Sequence, residues 1–144
     1  MDLTKLSSNE ILALTLYGEA RGEIIDGQIA VACIIRNRTK SNNYNEVCLA
    51  REQLSCWNSN DPNYPILNEM ASQLLMGQTI DNIYWVRCLW IAQGIISNYL
   101  KDITNGAKYY MTAKLFNSDA SPNWAKTSFN RKQFGTQIFF SIKE

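Results

Sequence analysis

Leu14-Thr15-Leu16-Tyr17-Gly18-Glu19-Ala20-Arg21-Gly22-Glu23, followed by Asp26-Gly27-Gln28-Ile29-Ala30-Val31-Ala32, decides how this chain is read. An apolar helical run meets a carboxylate, Glu19, and then a glycine, and a second apolar helix starts a few residues on. Partial desolvation and a helix C-terminus both favour the protonated form of a carboxyl group, the form able to donate to a leaving oxygen. The alternative for Glu19 is an exposed side chain in the last turn of a helix, which the helix dipole disfavours.

Working outward, Ser7-Ser8-Asn9-Glu10 has the pattern of a capping box, with Ser7 as N-cap and Glu10 at N3. It predicts a helix to about Ala20, ended by Gly22. Asp26 is the expected N-cap of a second helix reaching about Arg38, apolar nearly all round and so expected to be the buried central helix. Residues 40–63 are polar and turn-rich, with one short helical piece near Glu46–Glu52. Pro65 suits N1 of a third helix ending at Met76-Gly77, and Asp81 can cap a fourth from about Asn82 to Leu100. Its apolar positions include Trp85, Leu89, Ile91, Ile96 and Leu100, and Trp90 is also read as packing. Strands are expected at Ala107–Met111 and Gln137–Ser141, with irregular chain around Pro122 and Trp124 between them. The fold class is therefore α+β and mainly helical, a helical core with a small β element, in a single domain over residues 1–144.

Composition narrows the chemistry. The chain has no histidine, which removes Ser-His-Asp and Cys-His mechanisms and the HExxH metalloproteases. Carboxylate chemistry survives. Cys33 reads as a small buried hydrophobe, and Cys48 and Cys56 lack CxxC spacing, so neither a metal nor a cofactor is expected. Reduced thiols are the expectation, with a Cys48–Cys56 disulfide as the extracellular alternative. Net charge is +1, which does not point to nucleic acid. Residues 1–100 hold 7 basic and 10 acidic side chains, whereas residues 101–144 hold 7 basic and 3 acidic. A mildly basic C-terminal face suits an anionic polymer, although a solvated surface accounts for any single Lys. No apolar run is long enough to span a membrane, and the N-terminus lacks a Sec-type signal.

Several ordered motifs resemble the cell wall hydrolase family typified by the spore cortex-lytic enzyme SleB. Tyr17 with Glu19 to Glu23, Gly27 to Ala32, and Asn37-Arg38 match its first block. Gln53-Leu54-Ser55-Cys56-Trp57 resembles its Gln-Phe-Ser segment, and Asp102-Ile103-Thr104-Asn105-Gly106-Ala107-Lys108-Tyr109-Tyr110 its Asp-x-Thr-x-Gly-Ala-x-Tyr-Tyr pattern. Pro122-Asn123-Trp124-Ala125 and Gly135-Thr136-Gln137-Ile138-Phe139 resemble the last two. Two positions depart: Gln137 and Met111 stand where the family carries histidines.

The resemblance implies a lysozyme-like fold and cleavage of peptidoglycan glycan strands between N-acetylmuramic acid and N-acetylglucosamine, by a lytic transglycosylase with Glu19 as its one acid/base. Candidate glycan-contacting residues are Tyr110, Thr104, Trp57, Trp124 and Gln137. Tyr109 and Tyr110 would point to opposite faces of a strand, with Tyr110 toward the cleft. Core packing competes for both tryptophans. Glu23 is read as a loop or cap interaction, Arg21 as paired with a nearby carboxylate, and Arg36 and Arg38 as complements to a helix dipole.

A compact monomeric phage endolysin, held in the host cytoplasm until a holin releases it to the wall, is the setting this reading expects. Two rivals stand. One is a water-using muramidase assisted by Glu23 or Asp26. The other is a catalytically inactive glycan-binding or virion structural protein, for which the lost histidines are the best support.

Overall fold

The computed structural model describes residues 1–39, 43–50 and 54–143. The described residues hold six α-helices, one small sheet and three short 3-10 turns (Leu3–Lys5, Ser55–Trp57 and Asn123–Thr127): α1 (Ser8–Ala20), α2 (Ile25–Arg38), α3 (Tyr44–Leu49), α4 (Tyr64–Leu75), α5 (Ile83–Ile96), β1 (Tyr109–Thr112), α6 (Ala113–Phe116), β2 (Phe129–Phe134) and β3 (Gln137–Ser141). The architecture is α+β and mainly helical.

Helix α1 starts as the capping box requires. Ser7 Oγ accepts from the Glu10 N–H at 3.1 Å, and the Ser7 N–H donates to Glu10 Oε1 at 2.9 Å. Every residue from Ile11 to Gly18 is buried. The helix can be apolar all round because α2, α3, α4, α5 and the 3-10 turn Ser55–Trp57 all pack on it. It shares the central role expected of α2, whose run Ala30–Ile35 is also fully buried. Gly22 does not end α1 in the left-handed region. The chain leaves through Arg21 in ordinary helical geometry, and the Glu23 N–H closes a turn on the Ala20 carbonyl at 2.9 Å. Buried Gln28 pins this turn, donating to the Arg21 and Glu23 carbonyls at 3.1 and 3.3 Å.

Other boundaries shift for local reasons. Ile24, not Asp26, is the N-cap of α2, and Asp26 lies in the first turn, where its charge faces the positive end of the helix dipole. Asn82, not Asp81, caps α5, accepting from the Tyr84 and Trp85 N–H groups. Helix α5 stops at Ile96 rather than Leu100: Asn98 turns left-handed at φ 62°, and the Leu100 N–H folds back to the Gly94 carbonyl at 2.9 Å. Arg36 closes that end, donating to the Ile95 and Leu100 carbonyls at 3.3 and 2.8 Å. Pro65 falls in the first turn of α4, as its missing N–H allows. Trp90 is 70% exposed and so is not a packing residue; Trp85, on the other side of α5, is buried. The expected helical piece near Glu46 is α3, and Glu52 lies outside the described residues.

The sheet is antiparallel in the order β1-β3-β2. Its central strand β3 buries Ile138, Phe139 and Phe140 in succession, as a strand covered on both faces does. Strand β2 was not expected. It is an exposed edge carrying Arg131 and Lys132, with a register irregularity near Asn130 (φ 53°), so it lacks the alternating apolar pattern that marks a strand. Gly135 (φ 61°) supplies the tight turn into β3.

Gly18 is the closest approach in the helical core. A Cβ there would lie 2.6 Å from Cys56 Cβ and 2.8 Å from Leu67 Cδ1. Gly18→Ala should therefore lower stability by about 1–3 kcal/mol through overpacking, although alanine is the better helix former by about 1 kcal/mol. Thermal unfolding reads the sign, and a stabilised variant would contradict the packing described.

Candidate active site

Glu19 sits in the last turn of α1, half-buried, where three donors converge on its carboxylate. Tyr110 Oη donates to Oε1 at 2.8 Å. The Cys56 N–H donates to Oε2 at 3.2 Å and Ser55 Oγ to the same oxygen at 3.3 Å. The Ser55–Trp57 turn reaches the carboxylate because Gly18 presents no side chain to it. Tyr110 reaches it from β1 and is backed by Phe139, with ring centroids 5.5 Å apart. The acid is thus fixed at both oxygens, by a helix-packed turn on one side and the sheet on the other.

The donors keep their protons. Burial, then the neighbouring Glu19 charge, pushes the Tyr110 hydroxyl well above the ordinary phenol value. The same two causes, in the same order, push up the Cys56 thiol, so this sulfur is not a thiolate nucleophile. All four cysteines are free and buried, and the Cys48–Cys56 disulfide is not formed. No group of side chains suited to a metal ion occurs among the described residues.

Strand β1 is positioned by a loop locked to α2. Asn37 Nδ2 donates to Asp102 Oδ2 at 3.0 Å and to the Ala107 carbonyl at 2.8 Å. Asp102 accepts from the Thr104 N–H and hydroxyl at 2.7 and 2.6 Å, and from the Gly106 N–H at 2.8 Å. Burial alone would raise the Asp102 carboxyl, but the bonds from Thr104, Gly106 and Asn37 outweigh it and hold the group below the ordinary aspartate value. Arg38 Nε donates to the Lys108 carbonyl at 2.7 Å, and its guanidinium lies 5.7 Å from the centre of the Tyr109 ring. Burial lowers Arg38 from its ordinary value, against the opposing influence of Tyr110, Tyr109 and Glu19.

The candidate residues thus separate. Glu19 and Tyr110 come together. Trp57 lies in the turn beside them, half-buried, its indole N–H directed inward to Thr15 Oγ1 at 2.9 Å. Thr104 is fully buried with its hydroxyl on Asp102, so it shapes the loop and does not face a ligand. Trp124 is 47% exposed and packs with Tyr109 and Phe140, on the sheet face opposite Tyr110 and Phe139. Gln137 is half-buried and has no hydrogen bond to Glu19, and its Oε1 has no partner among the described residues. Glu23 Oε1 accepts from Thr136 Oγ1 at 2.6 Å and so ties the β2–β3 turn to the α1–α2 turn. Arg21 donates to the Tyr17 carbonyl at 2.9 Å and lies over the Tyr17 ring rather than capturing a carboxylate. Ser55 and Arg38 carry no mark in the sequence that sets them apart as site residues. Ser55 was visible only within the Gln-x-Ser segment, whose Gln53 lies outside the described residues.

An oriented carboxylate whose neighbours are neutral donors is the equipment of acid–base bond cleavage. A family model described as Cell Wall Hydrolase matches residues 22–140, most of the chain, and the protein belongs to that family of peptidoglycan-degrading enzymes. The matched span starts just after Glu19, so the case for this residue rests on its geometry. No curated protein and no solved structure matches the chain.

Asp102→Asn should lower stability at pH 7 by roughly 1–3 kcal/mol, because the Thr104 and Gly106 donors lose their charged acceptor. The lowered carboxyl stabilises the fold fully above its unfolded value near 3.8, and that contribution is lost as pH falls through the folded value. Urea unfolding at pH 7 and at about pH 3 should show the variant's deficit shrinking in acid; a constant deficit would contradict the network.

Proposed function

We propose that this cell wall hydrolase is a lytic transglycosylase that breaks the β-1,4 bond between N-acetylmuramic acid and N-acetylglucosamine, with Glu19 as its one acid/base. The observation that supports the reading is the make-up of the site: a phenol, a serine hydroxyl and a backbone N–H converge on Glu19 and orient one carboxylate to give a proton and take one back.

In the proposed reaction, protonated Glu19 donates to the glycosidic oxygen as the C1–O bond breaks. The carboxylate left behind takes the proton of the muramyl 6-hydroxyl, whose oxygen bonds to C1 and closes an anhydro ring. No water is consumed, and the acid is regenerated. Tyr110, Ser55 and the Cys56 N–H hold the carboxylate between the two proton transfers. Of the carboxylates that a water-using muramidase would recruit, Glu23 is engaged by Thr136 and Asp26 is exposed on the first turn of α2, which supports the one-acid reading. Gln137 and Met111 replace histidines of the resembled pattern, and Glu19 has donors on both oxygens without either, which supports an active enzyme over a binding protein. An endolysin that meets the wall after holin release is the proposed setting.

Glu19→Gln should fold normally, bind purified sacculi and lose about 10²–10⁴-fold of the rate of fragment release. Mass spectrometry of the wild-type fragments should find anhydro-muramyl ends. Reducing muramyl ends would replace the transglycosylase with a muramidase, and near-normal release by the variant would remove Glu19 from the mechanism.

A further inference from the structure

A pocket of about 360 Å³ opens between α2, α3 and β1, lined by Arg38, Glu46, Val47, Ala50, Lys108 and Tyr109. Two of its side chains are cations. Arg38 is half-buried, and its hydrogen bond to the Lys108 carbonyl uses Nε alone, so Nη1 and Nη2 have no hydrogen-bond partner among the described residues. The guanidinium lies 5.7 Å from the centre of the Tyr109 ring. A guanidinium partly removed from water, with both Nη groups open, is matched by a planar oxyanion. Lys108 is exposed at the mouth of the same pocket. The lining has one carboxylate, Glu46, and Asn43 Nδ2 at 3.0 Å holds its Oε2 toward the start of α3.

We propose that this pocket is a subsite for a carboxylate of the peptide stem carried by the wall glycan, with Arg38 as the bidentate partner and Lys108 as the second cation. The assignment rests on the transglycosylase reading above. Arg38 is bonded to the Lys108 carbonyl, two residues before Tyr110 in the chain, so an anion seated on it would lie against the segment that leads to the Tyr110–Glu19 pair. The consequence is selectivity: the enzyme cuts strands bearing charged stems in preference to strands whose stems are neutral.

The test uses synthetic N-acetylglucosaminyl–N-acetylmuramyl oligomers, free of phosphate, in two forms: with a stem peptide bearing free carboxylates, and with the same peptide amidated. Wild-type kcat/KM should favour the free-carboxylate form by about tenfold, the scale of one charge-assisted pair. Lys108→Gln and Arg38→Gln should each erase most of that preference, and Arg38→Lys should restore part of it. Equal cleavage of both forms by the wild type would overturn the subsite. So would variants slowed by one factor on both forms, which would assign Arg38 to Glu19 alone. If the wild type cleaves neither form, the functional reading fails, and equilibrium binding then reads the pocket by itself. Tighter binding of the free-carboxylate form, lost in Lys108→Gln, supports the subsite; equal binding of the two forms overturns it.

Discussion

The missing side chain at residue 18 is the constraint on which the site depends. With no Cβ there, the Ser55–Trp57 turn lies directly against α1, and Leu67 of α4 closes over the same spot. That approach delivers the Cys56 N–H and the Ser55 hydroxyl to Glu19, one residue further along the helix. Any side chain would push the turn away and leave Glu19 Oε2 to water. A glycine in a buried helix costs about 1 kcal/mol of helix propensity. Here the cost is offset by the packing the glycine permits, and the contact also brings two donors to the Glu19 carboxylate.

The opposite wall has the same logic, reached through the sheet. Tyr110 meets Glu19 because β1 is held in place twice, by its pairing with β3 and by the Asn37–Asp102 loop that anchors its entry to α2. Glu23 adds a third brace by tying the β2–β3 turn to the segment that follows Glu19. Much of the acidic and polar signature around the motif is therefore scaffold. Thr104, Asp102 and Asn37 hold one another and the loop that leads into β1, and Glu23 holds Thr136.

The legible part of this fold was local. The capping box at Ser7, the buried run of α1, and β3 follow from spacing and residue type within a few positions, and the structure has them where spacing puts them. The cap of α5 moved by one residue because Asn82 and Asp81 are equally good caps by type, and only the helix start decides between them. Strand β2 was missed because an exposed, charged edge strand lacks the apolar alternation by which strands are recognised. The exposure of Trp90 is not legible, because a tryptophan on an apolar helix has no mark telling which face meets solvent. In the site, Glu19 and Tyr110 were legible as a helix-end carboxylate and the second residue of an aromatic pair. Ser55, Arg38 and the role of Gly18 were not, because each depends on a contact between segments far apart in the chain.

The central claim is that Glu19, fixed by Tyr110 on one side and the Ser55–Trp57 turn on the other, is the group that meets the scissile oxygen. A crystal structure of the Glu19→Gln protein soaked with a peptidoglycan tetrasaccharide tests this most directly. The account predicts the residue 19 side chain within about 3.2 Å of a glycosidic oxygen, with Tyr110 and Cys56 still bonded to it. A glycan bound with its nearest glycosidic oxygen beside another carboxylate, and residue 19 out of reach, would contradict it.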